Sequence, residues 1–374
     1  MKGVFAAMTI ACCLTLASAG LAQVASHKTG AVFVMTNAAD RNQIIAYSRA
    51  ADGALQEVRR FDTGGRGSGG TTDPLGSQAS LLLSQDGSML FAVNTGSGNI
   101  SVFRVLGSTL LLTDLEPSGG AAPDALAQHG NLLYVINSGA SSSVTGFRIG
   151  VFGQLQPIPN STRFLSTNIT AASSLAFSPN GTSLVAIERL TNDIDVFGVQ
   201  GDGTLVAYPP QPSTVPGAFA VLFAPNGAAL VVATGPAGAV NGSAISSYAI
   251  GAGGSLGVIS NDVPTLGAAT CWSAVTPNGK FVYTSNAATS SLSGFSIGLT
   301  GILTPVPGTV VATQASGSTN LDIAISSDGK FLYALNAGTG SVGIFAIQND
   351  GTLTVVGNLA DIGTTQGLNG IAAL

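Results

Sequence analysis

One unit recurs seven times along the chain, and that repetition leaves few folds open. Each copy holds an apolar run, a turn with Gly, a second apolar run usually ending in Asn, a small-residue loop, and an alternating segment that closes on an aromatic. LSQDGSMLFAVNTGSGNISVF (83–103) and ISSDGKFLYALNAGTGSVGIF (325–345) display it most plainly. The turn glycines are Gly30, Gly87, Gly130, Gly181, Gly227, Gly279 and Gly329, a mean spacing of about 50 residues. The closing aromatics are Tyr47, Phe103, Phe147, Phe197, Tyr248, Phe295 and Phe345. Most copies add a second turn and a short strand, as in AADGALQ, QGDGTLV and NDGTLTVV. NG, DG and GG pairs supply the positive φ that tight hairpins need. Four short antiparallel strands, repeated seven times at this period, predict an all-β seven-bladed β-propeller.

The termini indicate how the ring closes. A solenoid of the same period would expose its end repeats and need polar caps, which neither end supplies. The first copy starts at Gly30 without the strand that precedes the turn in the other copies. The missing piece is GLNGIAAL (367–374), which resembles SSLAFS (173–178) and LDIAIS (321–326). The C-terminal strand is therefore expected to become the innermost strand of the N-terminal blade, one strand plus three, covering both open edges.

Composition narrows the setting. Charged side chains make up 8% of the 374 residues, about a third of the usual share. That is too few for exposed helices, coiled coils or a solvated disordered chain. A net charge of −5 gives no basic stripe for a nucleic-acid partner. Lys2, the apolar residues 4–16 and Ala17-Ser18-Ala19 read as a secretory signal peptide over residues 1–22, cleaved after Ala19 or Ala22. An uncleaved membrane anchor is the other reading, while Thr9-Ile10-Ala11-Cys12 lacks the Leu of a lipoprotein site. Residues 23–374 then form a single propeller domain, secreted or, in a bacterium, periplasmic, with no membrane span after signal removal. The mature chain keeps only Cys271, so no internal disulfide is available. A monomer is expected.

Blade topology sorts side chains between the two rims. With strands A to D counted from the axis outward, A–B and C–D turns share one face, and D–A and B–C loops share the other. The second face collects the loop 64–79, Glu188-Arg189, Asp40-Arg41, Asp124, Cys271-Trp272, Asp322, Gln366 and Asn369. His129 and His27 fall on the opposite face. Strand B ends in Asn at Asn37, Asn94, Asn137, Asn286 and Asn336, but in Glu188 in the fourth copy. The repeated Asn fit turn caps; a ring of amide oxygens around Ca²⁺ is the alternative. Glu188 is the expected acid/base, with Arg189 beside it for a carboxylate or oxyanion. Arg66, Asp73, Asp322 and Arg41 are expected to contact substrate, and Trp272 to stack on it. Gly65-R-Gly67-S-G-Gly70 matches G-x-G-x-x-G, yet it precedes a strand rather than a helix and reads as a rim loop.

The units SPNGTSLVAIERLTNDIDVF, ATCWSAVTPNGKFVYTSNAATSSLSGF and STNLDIAISSDGKFLYALNAG resemble the lactonase-type seven-bladed propellers over residues 30–374. That family includes 6-phosphogluconolactonases and carboxymuconate-lactonizing enzymes. The resemblance implies a lactone hydrolase or ring-closing isomerase that uses no organic cofactor and no metal, acting on a small-molecule lactone in an axial pocket. Family members often carry Pro-His eight residues before the turn glycine. Here those positions hold Ala79, Ser173, Phe219, Cys271 and Leu321, and the shortened third copy offers Pro123-Asp124. The alternative is a non-catalytic extracellular propeller that binds a carbohydrate ligand, a cell-wall component or a protein on the same face.

Overall fold

The computed structural model describes residues 30–70, 73–237, 239–363 and 367–374. The segment 1–22 with Cys12 and Cys13, His27 and Gln366 lie outside the described residues. Seven antiparallel sheets form seven blades. Blade 1 joins Gly30–Met35, Gln43–Arg49 and Leu55–Asp62 to the terminal strand Ile371–Ala373. Val32, Phe33 and Val34 stand opposite Ala373, Ala372 and Ile371. Closure is thus one strand plus three. The first strands of blades 2 to 7 are Leu81–Leu83, Pro123–His129, Ala172–Phe177, Ala218–Phe223, Thr270–Val275 and Asn320–Ile325. Each touches the next, and the ring of contacts closes through Ile371–Ala373, which places these strands around the axis.

Local chemistry explains the blades. In the A–B turns, Ser84, Ser178, Thr276 and Ser326 reach Asp86, Asn180, Asn278 and Asp328 two residues on. The glycine that follows bonds back to the same Ser or Thr carbonyl at 2.8 Å and takes a φ of 68–71°, which a side chain would disfavour. Strand B is apolar on both faces because it is sandwiched between blades: every residue of Gly30–Met35 and Phe331–Asn336 is buried.

Neighbouring blades are also latched. Tyr283 in strand B of blade 6 donates to Gly351 O in the C–D turn of blade 7 at 2.8 Å, and Tyr134 of blade 3 donates to Gly203 O of blade 4. Tyr333 of blade 7 makes the same bond to Gly53 O of blade 1 at 3.1 Å, so the seam uses the device that joins ordinary neighbours. The outer strand departs from expectation in blades 3 and 4, where it splits into Leu155–Pro157 with Arg163–Phe164, and Leu205–Ala207 with Gln211–Pro212. Pro157, Pro159, Pro209 and Pro210 supply no N–H to continue the ladder.

Candidate active site at the axial mouth

Every blade enters its inner strand through a left-handed residue: Gly370, Ala79, Ala122, Ala171, Gly217, Ala269 and Thr319. In four blades the carbonyl of this residue accepts the N–H just beyond strand B, as in Ser138 N to Ala122 O at 2.9 Å and Ala287 N to Ala269 O at 3.0 Å. In blades 3 to 7 the pairing register then slips, at Asp124, Ser173, Phe219, Cys271 and the Leu321–Asp322 pair. The bulges aim side chains at the axis from successive blades.

The axis itself is occupied by the D–A loop between blades 1 and 2. Leu75, Gly76, Ser77 and Gln78 are buried. Ser77 Oγ donates to Asp124 O of blade 3 at 2.9 Å, and Gln78 N to Ser173 O of blade 4 at 2.8 Å. From blade 6, the Trp272 indole N–H donates to Ser77 O and Ser273 N to Gln78 Oε1, both at 2.8 Å. Ser80 Oγ donates to Asn369 Oδ1 beside the closing strand at 2.9 Å. One loop therefore plugs the propeller by bonding to four separate blades.

Against this plug lie Arg189, Asp73 and Asp124. Arg189 Nε donates to Ala171 O at 3.1 Å, and its guanidinium sits 5.3 Å from the centre of the Phe219 ring. Gly76 must lack a side chain here: its φ is +59°, and a Cβ would approach the Arg189 guanidinium to 2.8 Å. Asp73 accepts Gly76 N at 2.9 Å and Asn369 Nδ2 at 3.3 Å. Burial raises its pKa against those bonds and the Arg189 charge. Asp124 is 5% exposed and accepts the Ser138 hydroxyl. Burial pushes it up to about 7, with Ser138 and Arg189 pulling the other way. A carboxyl poised there is half-ionised at neutral pH and can take or give a proton. Burial drives the Cys271 thiol far upward, so it stays protonated and inert.

The expected site is only partly assembled. Arg189 and Asp73 come together. Arg66 is exposed on the same face, its backbone tied to Ser97 and Gly96 of blade 2. Arg41 is turned outward, where it pairs with Asp62 at the end of the outer strand, exposed to solvent. Asp322 is buried and structural: it accepts its neighbour Ile323 N at 3.0 Å and Ile371 N of the closing strand at 3.4 Å. Burial pushes it up to about 7.

Trp272 lies in the core and not on an open wall. It is fully buried, edge-on to Phe219 at 4.9 Å, because its single N–H is needed by the plug. Trp272→Ala should cost about 3–5 kcal/mol in urea unfolding. A loss below about 1 kcal/mol would return it to an accessible site.

Glu188 is the largest correction. It is fully buried and turned into blade 4, accepting Ser166 N at 2.7 Å, Thr191 Oγ1 at 2.6 Å and the Ser166 hydroxyl. Its slot is a strut repeated around the ring, built from a loop residue, the last residue of strand B and a strand C residue. Blade 2 uses Thr63, Asn94 and Ser101; blade 3 Ser118, Asn137 and Thr145; blade 6 Thr265, Asn286 and Ser293. The side chains of Asn94, Asn137 and Asn286 are thus tied up inside their blades, whereas Asn37 donates to Asn369 O beside the closing strand at 3.4 Å. In blade 4 the trio is Ser166, Glu188 and Asp195, and the Asp195 carboxyl faces that of Glu188. Burial and Glu188 together push Asp195 up to about 8, so the folded state binds a proton there that the unfolded chain releases above pH 4 or so. Stability from this pair should fall as pH rises from about 4 to 8. Asp195→Asn, which places an N–H against Glu188, should flatten the urea-unfolding slope by about 1.4 kcal/mol per pH unit in that range. An unchanged slope would show that no proton is held between the two carboxyls.

Asp124 is the residue that sequence reading left out of the site, although its Pro123-Asp124 context marked the position. Among known proteins, the family described as lactonase, seven-bladed β-propeller, matches residues 23–166 and 309–365. No curated protein matches the sequence. A candidate 6-phosphogluconolactonase of Bacteroides uniformis superposes with a TM-score of 0.68 at 18% identity, over 92% of this chain and 99% of that one. The periplasmic gluconolactonase of Pseudomonas aeruginosa gives 0.67 at 18% identity, over 91% and 98%. A candidate 6-phosphogluconolactonase of Bacteroides fragilis gives 0.66 at 20% identity, again over 91% and 98%. At these identities the likeness speaks for the fold.

Proposed function

The chain belongs to the lactonase family of seven-bladed β-propellers, and from that premise we propose that it hydrolyses an unphosphorylated sugar-like lactone at the axial mouth. The observation that carries this reading is Asp124, a buried carboxyl at about 7 whose charge is felt by Arg189. Asp124 takes a proton from water as the water oxygen bonds to the lactone carbonyl carbon. Arg189 stabilises the oxyanion. The acyl–oxygen bond then breaks, and the ring oxygen leaves with the proton that Asp124 returns. Asp73 and Arg189, both half-buried, meet the substrate above Asp124. Glu188, the earlier candidate for acid/base, has no part in this scheme.

Charge supports a neutral substrate. Arg189 is opposed by Asp73 and Asp124, and a phosphate would meet two carboxyls for one guanidinium. Lys280 and Lys330 sit in A–B turns on the opposite face. Residues 1–22 as a signal peptide would deliver the single domain 23–374 outside the cytoplasm, and a periplasmic relative of the same fold is consistent with that. Among the described residues no helix is long and apolar enough to cross a membrane.

The test is a panel of aldono-γ- and δ-lactones beside a 6-phosphorylated δ-lactone. Turnover of a neutral lactone is expected, with kcat/KM for its phosphate at least about tenfold lower. Folded protein that opens none of them above background overturns the reading. The plug, which leaves Asp124 only 5% exposed, favours a second reading: a propeller that binds a carbohydrate or protein on this face without turning it over. Retention on polysaccharide without hydrolysis would select it.

A further inference from the structure

We propose that blade 7 carries a second small-molecule site, independent of the axial mouth, for a neutral hydroxyl-bearing ligand of monosaccharide size. The strut that stiffens the other blades is incomplete there. Its three positions hold Gln314, Asn336 and Gly343, and Gly343 stands where Ser101, Thr145 and Ser293 supply a hydroxyl. Asn336 Nδ2 donates to Gln314 Oε1 at 2.7 Å and to Ser341 Oγ at 3.2 Å. Asn336 is 1% exposed, yet its Oδ1 and the buried Gln314 Nε2 have no hydrogen-bond partner among the described residues. In blade 2 the matching Asn94 Oδ1 takes Thr63 Oγ1 at 2.7 Å and Asn42 Nδ2 at 2.9 Å. Asn137 of blade 3 also leaves its Oδ1 unpaired, but Thr145 occupies the place that Gly343 vacates.

A buried acceptor and a buried donor are left unpaired there, which destabilises the blade, and Asn336 and Gln314 both line a cavity of about 360 Å³. A hydroxyl both donates and accepts, so a ligand hydroxyl offers the chemistry that both Asn336 Oδ1 and Gln314 Nε2 lack. The cavity is an order of magnitude larger than the ~30 Å³ of one water and falls in the range of ligand sites. Phe345 and Val355 give it an apolar wall, Thr339, Ser341 and Asn358 add hydroxyl and amide groups, and no charged side chain lines it. An apolar wall facing neutral donors and acceptors suits a sugar ring, with its C–H face and its hydroxyls, and disfavours an anion or cation.

The experiment is ligand-observed NMR and calorimetry on the full chain with glucose, galactose, mannose and N-acetylglucosamine, and with glucuronate as the charged control. Saturable binding of at least one neutral sugar in the millimolar range, about −4 kcal/mol, is expected, with glucuronate at least about tenfold weaker. Gly343→Ser, which drives a hydroxymethyl into the Gln314 amide (a Cβ there comes within 2.3 Å of Oε1), should abolish binding. Gln314→Ala, which needs no repacking of the strand, should weaken it at least about tenfold. Both should leave axial lactone turnover unchanged, so failure of that activity and failure of this site are read separately. No saturable binding by folded wild-type protein, equal binding in both variants, or a crystal soaked in the sugar that holds only water in the cavity would each overturn the proposal.

Discussion

A chain that stops at Gln366 should fail to close and lose cooperative unfolding. The eight residues removed carry Leu368, Ile371 and Ala372, 1%, 4% and 7% exposed. Leu368 and Ile371 belong to one apolar cluster and Ala372 to another, so the strand knits two cores. Its backbone also bonds to blade 1 on both sides of the register, Met35 N to Gly370 O at 3.0 Å and Leu374 N to Ala31 O at 2.8 Å. Burial of two large aliphatic side chains is worth about 1.5–3 kcal/mol each, and each lost bond about 1 kcal/mol. The sum is of order 5–10 kcal/mol, comparable to the whole stability of a typical protein. The fully buried Gly30–Met35 would become an apolar edge open to aggregation. Circular dichroism melting of the truncated chain, with and without a synthetic 367–374 peptide, is the measurement. A broad or absent transition that the peptide restores is the expected result, and a melt within about 5 °C of the full chain would mean that the ring does not depend on its last strand.

Asp124→Asn should cost about 10²–10⁴ in kcat toward the lactone that the wild type opens, with melting temperature held or raised. Asn keeps the bond with Ser138 but cannot carry the proton. The pH dependence separates this role from a structural one, because two effects of the same carboxyl run in opposite directions. Activity needs the ionised form, so wild-type kcat/KM should rise with pH through about 7 and level off above 8. Stability is better served by the neutral form: the folded pKa is above the ordinary value, so the folded state holds the extra proton and loses stability as pH rises from about 4 to 7. The Asn variant should lose both trends. A variant within about threefold of wild type would remove Asp124 from the chemistry and leave Arg189 and Asp73 as a binding pair.

Much of the architecture can be read before any coordinates. Turn glycines at intervals of about 50 residues and a missing first strand specify seven blades and their closure, because each rests on local rules: which residues tolerate positive φ, and which runs are apolar on both faces. Even the rim on which Arg189, Asp73 and Asp124 lie follows from counting antiparallel strands. The pairing of side chains within that rim does not. Glu188 and Arg189 are adjacent in sequence, yet one is sealed into blade 4 by Ser166 and Thr191 while the other crosses to Phe219 and Gly76.

The amino-acid order alone determined the repeat, the turn geometry and the edge-covering role of the last strand, all of which depend on contacts within a few residues or on a period any copy reveals. Tertiary structure alone decided that Trp272 anchors a plug, that Asp322 holds the seam, and that Asn94, Asn137 and Asn286 brace their blades. The first of these turns on where the loop between blades 1 and 2 lies relative to blades 3, 4 and 6. A side chain at a strand end reverses its facing with a single-residue bulge, and no periodicity in the chain records which of the two faces a bulge selects.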